Sequence, residues 1–355
     1  MRIALISDTH IGVRNDSLIM HNQMKKFLDE IFFPELERNG IDTVIHLGDL
    51  VDRRKYINYL TAKRLRDDFL DPLLQKKIAM HIIAGNHDTF YKNTNQVNAL
   101  RELIAGKYNN VSIYDNEPDE IFFEGTSILM MPWICDDNKQ ATLEAIKNSK
   151  SSIVMGHLEL NGYEMYRGHV SDHGDDPKIF DKFDLVCSGH YHTRSNSSNI
   201  FYLGTPAQYT WSDYNDDKGF HILDTDTRSL TFIQNPHTSF KKFFYDDINK
   251  QMDEVLLFDV DDYKDCYVKV VVKNKTNPYW FDLVIDRLEK SGAADLQVVE
   301  DHFNLDLESD SDIINEAEDT MSIVRKFIGS MNISTDKKRV ETIIQNLYIE
   351  AHAIL

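Results

Sequence analysis

The chain has 355 residues, 42% hydrophobic and 27% charged, with a formal net charge of −19. That is the makeup of a globular protein with room for one large domain and attachments. The longest apolar run, Ile128 to Cys135, is too short to span a bilayer, and the three cysteines form no CxxC pair, which argues against membrane insertion, disulfides and thiolate zinc sites.

Taken in chain order, residues 2–7 read as a buried strand, running straight into polar Ser7-Asp8-Thr9-His10 rather than forming a leader peptide. Met20, Met24, Phe27, Leu28 and Ile31 follow helical spacing, with Asp16 or Ser17 as N-cap and Pro34 expected to kink or end the helix. Strands are predicted at 44–47 and 78–84, near 111–114, 120–124 and 127–131, and at 153–155; helices are predicted at 56–70, around Val97, Leu100 and Ile104, and at 138–149. From 184 the pattern turns to strands, at 184–188, 199–203, 219–224 and 230–234. Alternating strands and helices followed by a β-rich run predict an α/β fold: a two-sheet sandwich flanked by helices.

The texture changes after residue 237. A strand at Tyr267–Val272, a helix at 279–290 and a strand at Leu296–Val299 predict a small α+β domain over 238–299. Residues 300–320 read as an acidic linker, and 321–355 as a tail of two short amphipathic helices. The apolar faces of that tail carry Val324, Phe327 and Ile328, then Val340, Ile344 and Leu347. Residues 295–320 contain ten acidic residues and no Lys or Arg, which leaves −9 for the remainder. The balance still predicts a weak unaided grip on a polyanion.

Chemistry concentrates at five strand ends. Asp8 and His10, Asp49, Asn86, His157, and His190 and His192 each follow an apolar run. In open α/β sheets, ligands gather at the carboxyl ends of strands, and a mixed Asp/His/Asn set suits a pair of divalent cations.

Asp-x-His, Gly-Asp-x-x-Asp, Gly-Asn-His-Asp, Gly-His and Gly-His-x-His, in that order, resemble the calcineurin-like metallophosphoesterase superfamily. Within it the chain is most similar to SbcD-type double-strand-break repair nucleases, and among those to the recombination endonuclease subunit of large tailed bacteriophages. Pro132-Trp133-Ile134-Cys135 and Gly204-Thr205-Pro206 add to the likeness, which is strong over residues 1 to about 235. The resemblance implies that Asp49 bridges two metals, that Asp8, His10 and His192 complete one site, and that Asn86, His157 and His190 complete the other. It implies two divalent ions, manganese in this family. It gives His87 the role of stabilising charge on the scissile phosphate and protonating the leaving oxygen, with Asp52 orienting it. Arg53 and Arg54 are candidates for phosphate or DNA contact, with ordinary surface arginines as the competing reading. Tyr163, Tyr166, Tyr209, Trp211 and Tyr214 could stack on bases or simply anchor loops.

The implied function is a DNA nuclease subunit, a 3′-to-5′ exonuclease on duplex ends and an endonuclease on single strands. It would act in recombination, repair and replication, in the cytoplasm (that of the host if the source is a phage). The family layout makes residues 238–299 a capping domain for DNA recognition, the C-terminal helices the grip on an SMC-like ATPase of SbcC type, and the chain a homodimer. The alternative is a metallophosphoesterase acting on small substrates, such as a cyclic-nucleotide or phosphoprotein phosphatase.

Overall fold

Along the motif-bearing strands, alternate side chains enter different cores. Ile3 and Leu5 pack with Ile45, Leu47, Ile153, Met155, Leu185 and Cys187, whereas Ala4 and Ile6 pack with Val44, Met80 and Ile82. Because both faces of these strands are buried, they read as unbroken apolar runs. The structure, a computed structural model, describes residues 1–300 and, beyond them, Val340 alone, as helix.

Two six-stranded sheets meet across the core that holds Ile3, Leu5 and Ile153. From edge to edge, the first carries Ser229–Gln234, Gly219–Asp224, Arg2–Ile6, Thr43–His46, Ala79–Ile83 and Val111–Tyr114. Its last four strands are parallel, with Ala4 opposite Val44 and Val44 opposite Met80. The second sheet carries Ser195–Ser197, Ile200–Tyr202, Leu185–Gly189, Ile153–His157, Thr126–Met131 and Asp119–Phe123, with its four central strands parallel. In both sheets the parallel strands bring their carboxyl ends to one edge, where the five motifs begin. Helices cover the outer face of the first sheet through Met24, Phe27, Phe32, Leu65, Phe69 and Leu100. Ile146 and Phe180 cover the outer face of the second. The expected α/β sandwich is therefore the observed fold.

Pro34 does not end its helix. Leu18–Phe27, capped by the Ser17 hydroxyl accepting from Met20 N at 3.4 Å, widens into a π-turn over Leu28–Phe32 and continues as Phe33–Asn39. The wide turn comes just before the missing proline N–H, so that Pro34 falls in the first turn of a fresh α-segment, where it costs little. The same device recurs at Leu65–Leu70 before Pro72, extending the helix that starts at Tyr59.

A third, all-parallel sheet of Phe240–Asp246, Tyr267–Asn274 and Asp295–Glu300 has its own core, with Val268, Val270 and Val272 against Phe281, Val284 and Leu288 of helix Pro278–Lys290. The strand Phe240–Asp246 was not expected. It is an edge strand carrying Lys241 and Lys242, and its charges mask the strand period. The acidic segment from 301 and the tail positions Val324, Phe327, Ile328, Ile344 and Leu347 lie outside the described residues.

Candidate metal centre

Backbone ladders run past the strand ends and carry the first two motifs side by side. Asp8 N donates to Gly48 O at 3.0 Å, His10 N to Asp49 O at 3.1 Å and Ile11 N to Leu50 O at 2.9 Å. His190 N, arriving from the second sheet, donates to both oxygens of Asp8 at 3.0 and 3.1 Å. Close approach needs a missing Cβ at Gly48 (φ +89°), where a methyl group would stand 2.6 Å from His157 Nδ1 and 2.8 Å from Gly85 Cα. Asp8, His10, Asp49 and His190 themselves adopt left-handed backbone, with φ of 52°, 42°, 54° and 86°. Such strain, outside glycine, collects where a site over-determines the chain.

All seven expected ligands converge. Asp8, His10 and His192 offer atoms within 4.8 Å of one another, and so do Asp49, His157 and His190. His10 Nε2 faces His192 Nε2 at 3.2 Å. Asn86 Oδ1 lies 3.0 Å from His157 Nε2 and 2.9 Å from His190 Nδ1. Asp49 Oδ2 stands between the two groups, 3.4 Å from His157 Nε2 and 3.7 Å from His10 Nε2. Its Oδ1 is fixed by accepting from His87 N at 2.7 Å.

This donor set fits cations. Burial drives the pKa of His10 and His190 well below the ordinary histidine value and that of His192 to about 4, so these rings are neutral and offer lone pairs. His157 Nδ1 must donate, because its partner at 2.7 Å is the Leu47 carbonyl, and that leaves Nε2 as the ligand atom. Burial alone would raise Asp49, but the His157 ring beside it holds the carboxyl well below its usual range. A divalent ion between the two would take over that countercharge.

The remaining candidates divide. His87 is half-buried, packs edge-on to His10 with ring centroids 4.8 Å apart, and joins His10 and Asp49 in a third close group. Its Nδ1 meets the main-chain carbonyl of Asp52 at 2.5 Å, while the Asp52 carboxylate lies 3.6 Å from His10 Nδ1. Arg53 is turned away, bonded to Asp16 at 2.9 Å and Asn15 at 2.8 Å. Arg54 is half-buried, and burial pulls its guanidinium below the ordinary value while the charge of Asp49 opposes that pull. Tyr209 and Tyr163 anchor loops: Tyr209 OH donates to the carbonyls of Asp8 and Thr9, each at 2.9 Å, and Tyr163 OH to that of Ser197 at 3.2 Å. Trp211 and Tyr214 pack beneath Lys269 and Lys242 of the third sheet.

Residues 1–194 match the family described as calcineurin-like phosphoesterase. The chain is 35% identical to exonuclease subunit 1 of Enterobacteria phage T4, over 99% of both chains. The chain is a calcineurin-like phosphoesterase. Other relatives of this phosphoesterase are the SbcD component of the SbcCD nuclease of Staphylococcus epidermidis, 25% identical over 80% of this chain and 79% of that one, and the DNA double-strand break repair protein Mre11 of Sulfurisphaera tokodaii, 29% identical over 54% and 49%. It is a metal-dependent phosphodiesterase, and its His/Asp groups are placed so that they could hold divalent ions.

Three supports of the phosphoesterase centre were not foreseen. Asp88 is fully buried and accepts from Leu50 N at 2.9 Å, Val51 N at 3.2 Å and Gly85 N at 2.9 Å, tying the Asp49 loop to the Asn86 loop. Trp133 walls the second group, its ring centroid 5.1 Å from that of His190. Lys218 and Asp213 form a buried ion pair at 2.7 Å, and Lys218 also donates to His192 O at 2.8 Å. An apolar run and a following ligand are visible locally, whereas acceptors of backbone N–H groups leave no local signature.

Proposed function

We propose that this phosphoesterase is a DNA nuclease subunit that hydrolyses phosphodiesters with two divalent ions, manganese in the cell. The observation that carries the reading is the placement of Asp49 Oδ2 between two complete donor sets. Similarity along the whole chain to a phage exonuclease subunit supports DNA as the polymer.

When bound, an ion pair supplies Lewis-acid stabilisation of the phosphate and a nucleophile at neutral pH. Asp8, His10 and His192 would hold one ion, Asn86, His157 and His190 the other, and Asp49 would serve both. Four imidazoles that are neutral when they coordinate, and a neutral amide, keep the centre's negative charge small, so a phosphodiester can approach. A carbonyl only accepts, so His87 Nδ1 carries its hydrogen towards Asp52 O, and Nε2 is the nitrogen that holds and releases a proton. His87 thereby delivers a proton to the departing oxygen, and Asp52 is the positioning residue for both His87 and His10.

The full reading is a 3′-to-5′ exonuclease on duplex ends and an endonuclease on single strands, working as a homodimer in recombination, repair and replication in the cytoplasm. No helix among the described residues is long and apolar enough to cross a membrane. Residues 238–299 act as the capping domain. The tail at 321–355, through Val324, Phe327, Ile328, Val340, Ile344 and Leu347, holds an SMC-like ATPase.

Linear duplex DNA and an aryl phosphodiester, each supplied with manganese, test the core of the reading. Degradation of DNA is expected; cleavage of the aryl diester with DNA left intact would identify a small-substrate phosphodiesterase instead. Deleting 321–355 should preserve cleavage of short oligonucleotides and remove stimulation by the ATPase, and stimulation that survives would exclude the tail as the docking element.

A further inference from the structure

The two loops that carry Asp49 and Asn86-His87 run outward into Arg53-Arg54-Lys55-Tyr56 and Phe90-Tyr91-Lys92. In a chain of net charge −19, residues 53–66 hold six Lys or Arg and no Asp or Glu. Most of these cations are already committed. Arg53 is bonded to Asp16 and Asn15, Lys63 and Arg66 are paired with Asp67, and Arg64 donates to Asn22 at 3.0 Å.

Arg54 differs from its neighbours. Its Nη1 is buried and has no hydrogen-bond partner, an arrangement that buried donors rarely tolerate. Its guanidinium feels the charge of the Asp49 carboxylate, whose Oδ2 lies 3.4 Å from His157 Nε2 and 3.7 Å from His10 Nε2. The loop beneath it is rigid: Asp52 N donates to Ile11 O at 3.2 Å, and Asp88 clamps Leu50 and Val51. A fixed guanidinium donor beside a divalent-cation centre matches a non-bridging phosphate oxygen.

The residues that follow suit the next nucleotide. Lys55 is exposed, and its Nζ lies 5.9 Å from the Phe90 ring, which joins the two loops. Tyr56 is 64% exposed, with the Arg53 guanidinium 4.9 Å from its ring centroid, and Tyr91 is 50% exposed with its ring 4.7 Å from that of Phe90, so each ring still presents surface to a base. A tyrosine face can stack on a base only when that base is outside a duplex, and such stacking is indifferent to sequence.

Resting on the phosphodiester reading above, we propose that Arg54 is a ligand of the scissile phosphate and that Lys55 and Tyr56 hold the adjoining nucleotide of a single strand. Arg53, one residue earlier, serves the scaffold instead and ties the turn at Asn15-Asp16 to this loop.

The test compares Arg54→Gln, Arg54→Lys and the double variant Lys55→Ala, Tyr56→Ala with wild type. The substrates are a short single-stranded oligonucleotide and bis(p-nitrophenyl) phosphate, and manganese binding is followed by calorimetry. Arg54→Gln should lower kcat/KM by about ten- to a hundredfold on both substrates, as for loss of a charged hydrogen bond. Manganese binding should persist, and Arg54→Lys should recover part of the loss. The double variant should raise KM about tenfold for the oligonucleotide, well beyond any change for the aryl diester. Unchanged kinetics in Arg54→Gln, or loss of manganese together with activity, would overturn the role of Arg54. Equal effects of the double variant on the two substrates would overturn the strand contact. A wild type that cleaves the aryl diester but no DNA defeats the nuclease reading and the strand contact together, and the diester kinetics still decide Arg54.

Discussion

Asp88 offers the sharpest test of how the centre is held together, because it touches neither metal-ligand group and yet joins both. Its two oxygens accept three backbone N–H groups, two of them directly after Asp49 and one directly before Asn86. Asp88→Asn keeps the shape but turns one acceptor into an NH₂ donor. If the remaining oxygen stays with Leu50 and Val51, the new amide points at Gly85 N, donor against donor. A buried donor left unmet costs about 1–3 kcal/mol, and the loop can avoid the clash only by moving Gly85, and Asn86 with it. One part of the cost falls on folding and the other on the geometry of the ligands. The expectation is therefore a lower melting temperature together with manganese affinity weakened by about 10–100-fold, the range seen when groups behind metal ligands are removed. Calorimetric titration of the folded variant with manganese measures the second effect separately from the first. Wild-type affinity at both sites in Asp88→Asn, at unchanged melting temperature, would refute the idea that this carboxylate sets the spacing between the two loops.

Asp49→Ala removes the oxygen that stands between the two donor groups, 3.7 Å from His10 Nε2 and 3.4 Å from His157 Nε2, so circular dichroism should report an intact fold while calorimetry shows both ions lost and cleavage falls to background. Gly48→Ala demands left-handed backbone from a residue with a Cβ, costing about 1–2 kcal/mol, and drives that Cβ into His157 Nδ1 and Gly85. Its melting temperature and its manganese affinity should fall together, and a variant that melts like wild type would refute the crowding. Lys218→Met leaves Asp213 buried without its countercharge, which costs about 3–5 kcal/mol and should lower the melting temperature by on the order of 10 °C. Burial would raise Asp213 and lower Lys218, but each group's attraction for the other wins, so Asp213 lies below its ordinary value and Lys218 above. The Asp213 contribution is then fully present above pH ~3.9 and is lost as pH falls through its lower folded value. The Lys218 contribution is fully present below pH ~10.4 and is lost as pH rises through its higher one. In wild type neither group titrates across neutral pH, but in Lys218→Met burial raises the unpaired Asp213, so the gap between the two melting temperatures should narrow as pH falls from 9 towards acid, and a gap that widens on acidification would contradict this.

Much of the centre was legible because each ligand is announced locally, by a strand buried on both faces that stops at a polar residue. Alternation within those strands, Ile3 and Leu5 against Ala4 and Ile6, also sorts the side chains between the inner core and the helix-covered face. What stayed hidden depends on partners distant in the chain. Nothing near Asp88 says that its carboxylate will collect donors from residues 50, 51 and 85. Arg53 and Arg54 are alike on paper, and only the fold gives one of them Asp16 and leaves a nitrogen of the other without an acceptor. Pro34 reads as a kink or an end of its helix because helical spacing does not encode a π-turn, which shifts the hydrogen-bond register ahead of the ring there and again before Pro72. The edge strand Phe240–Asp246 escaped because its lysines interrupt the apolar pattern.

Neither donor set belongs to a single sheet. Asp8 and His10 leave the first sheet and His192 the second, while Asn86 faces His157 and His190 across the same seam. Ions seated there would act as rivets between the two halves of the sandwich, and each would add cohesion of about 2.7 kcal/mol when its free concentration is a hundredfold above its dissociation constant. Chelation should then do more than silence the enzyme: it should loosen the seam itself, so that the supply of metal sets how long the folded molecule survives as well as how fast it cuts.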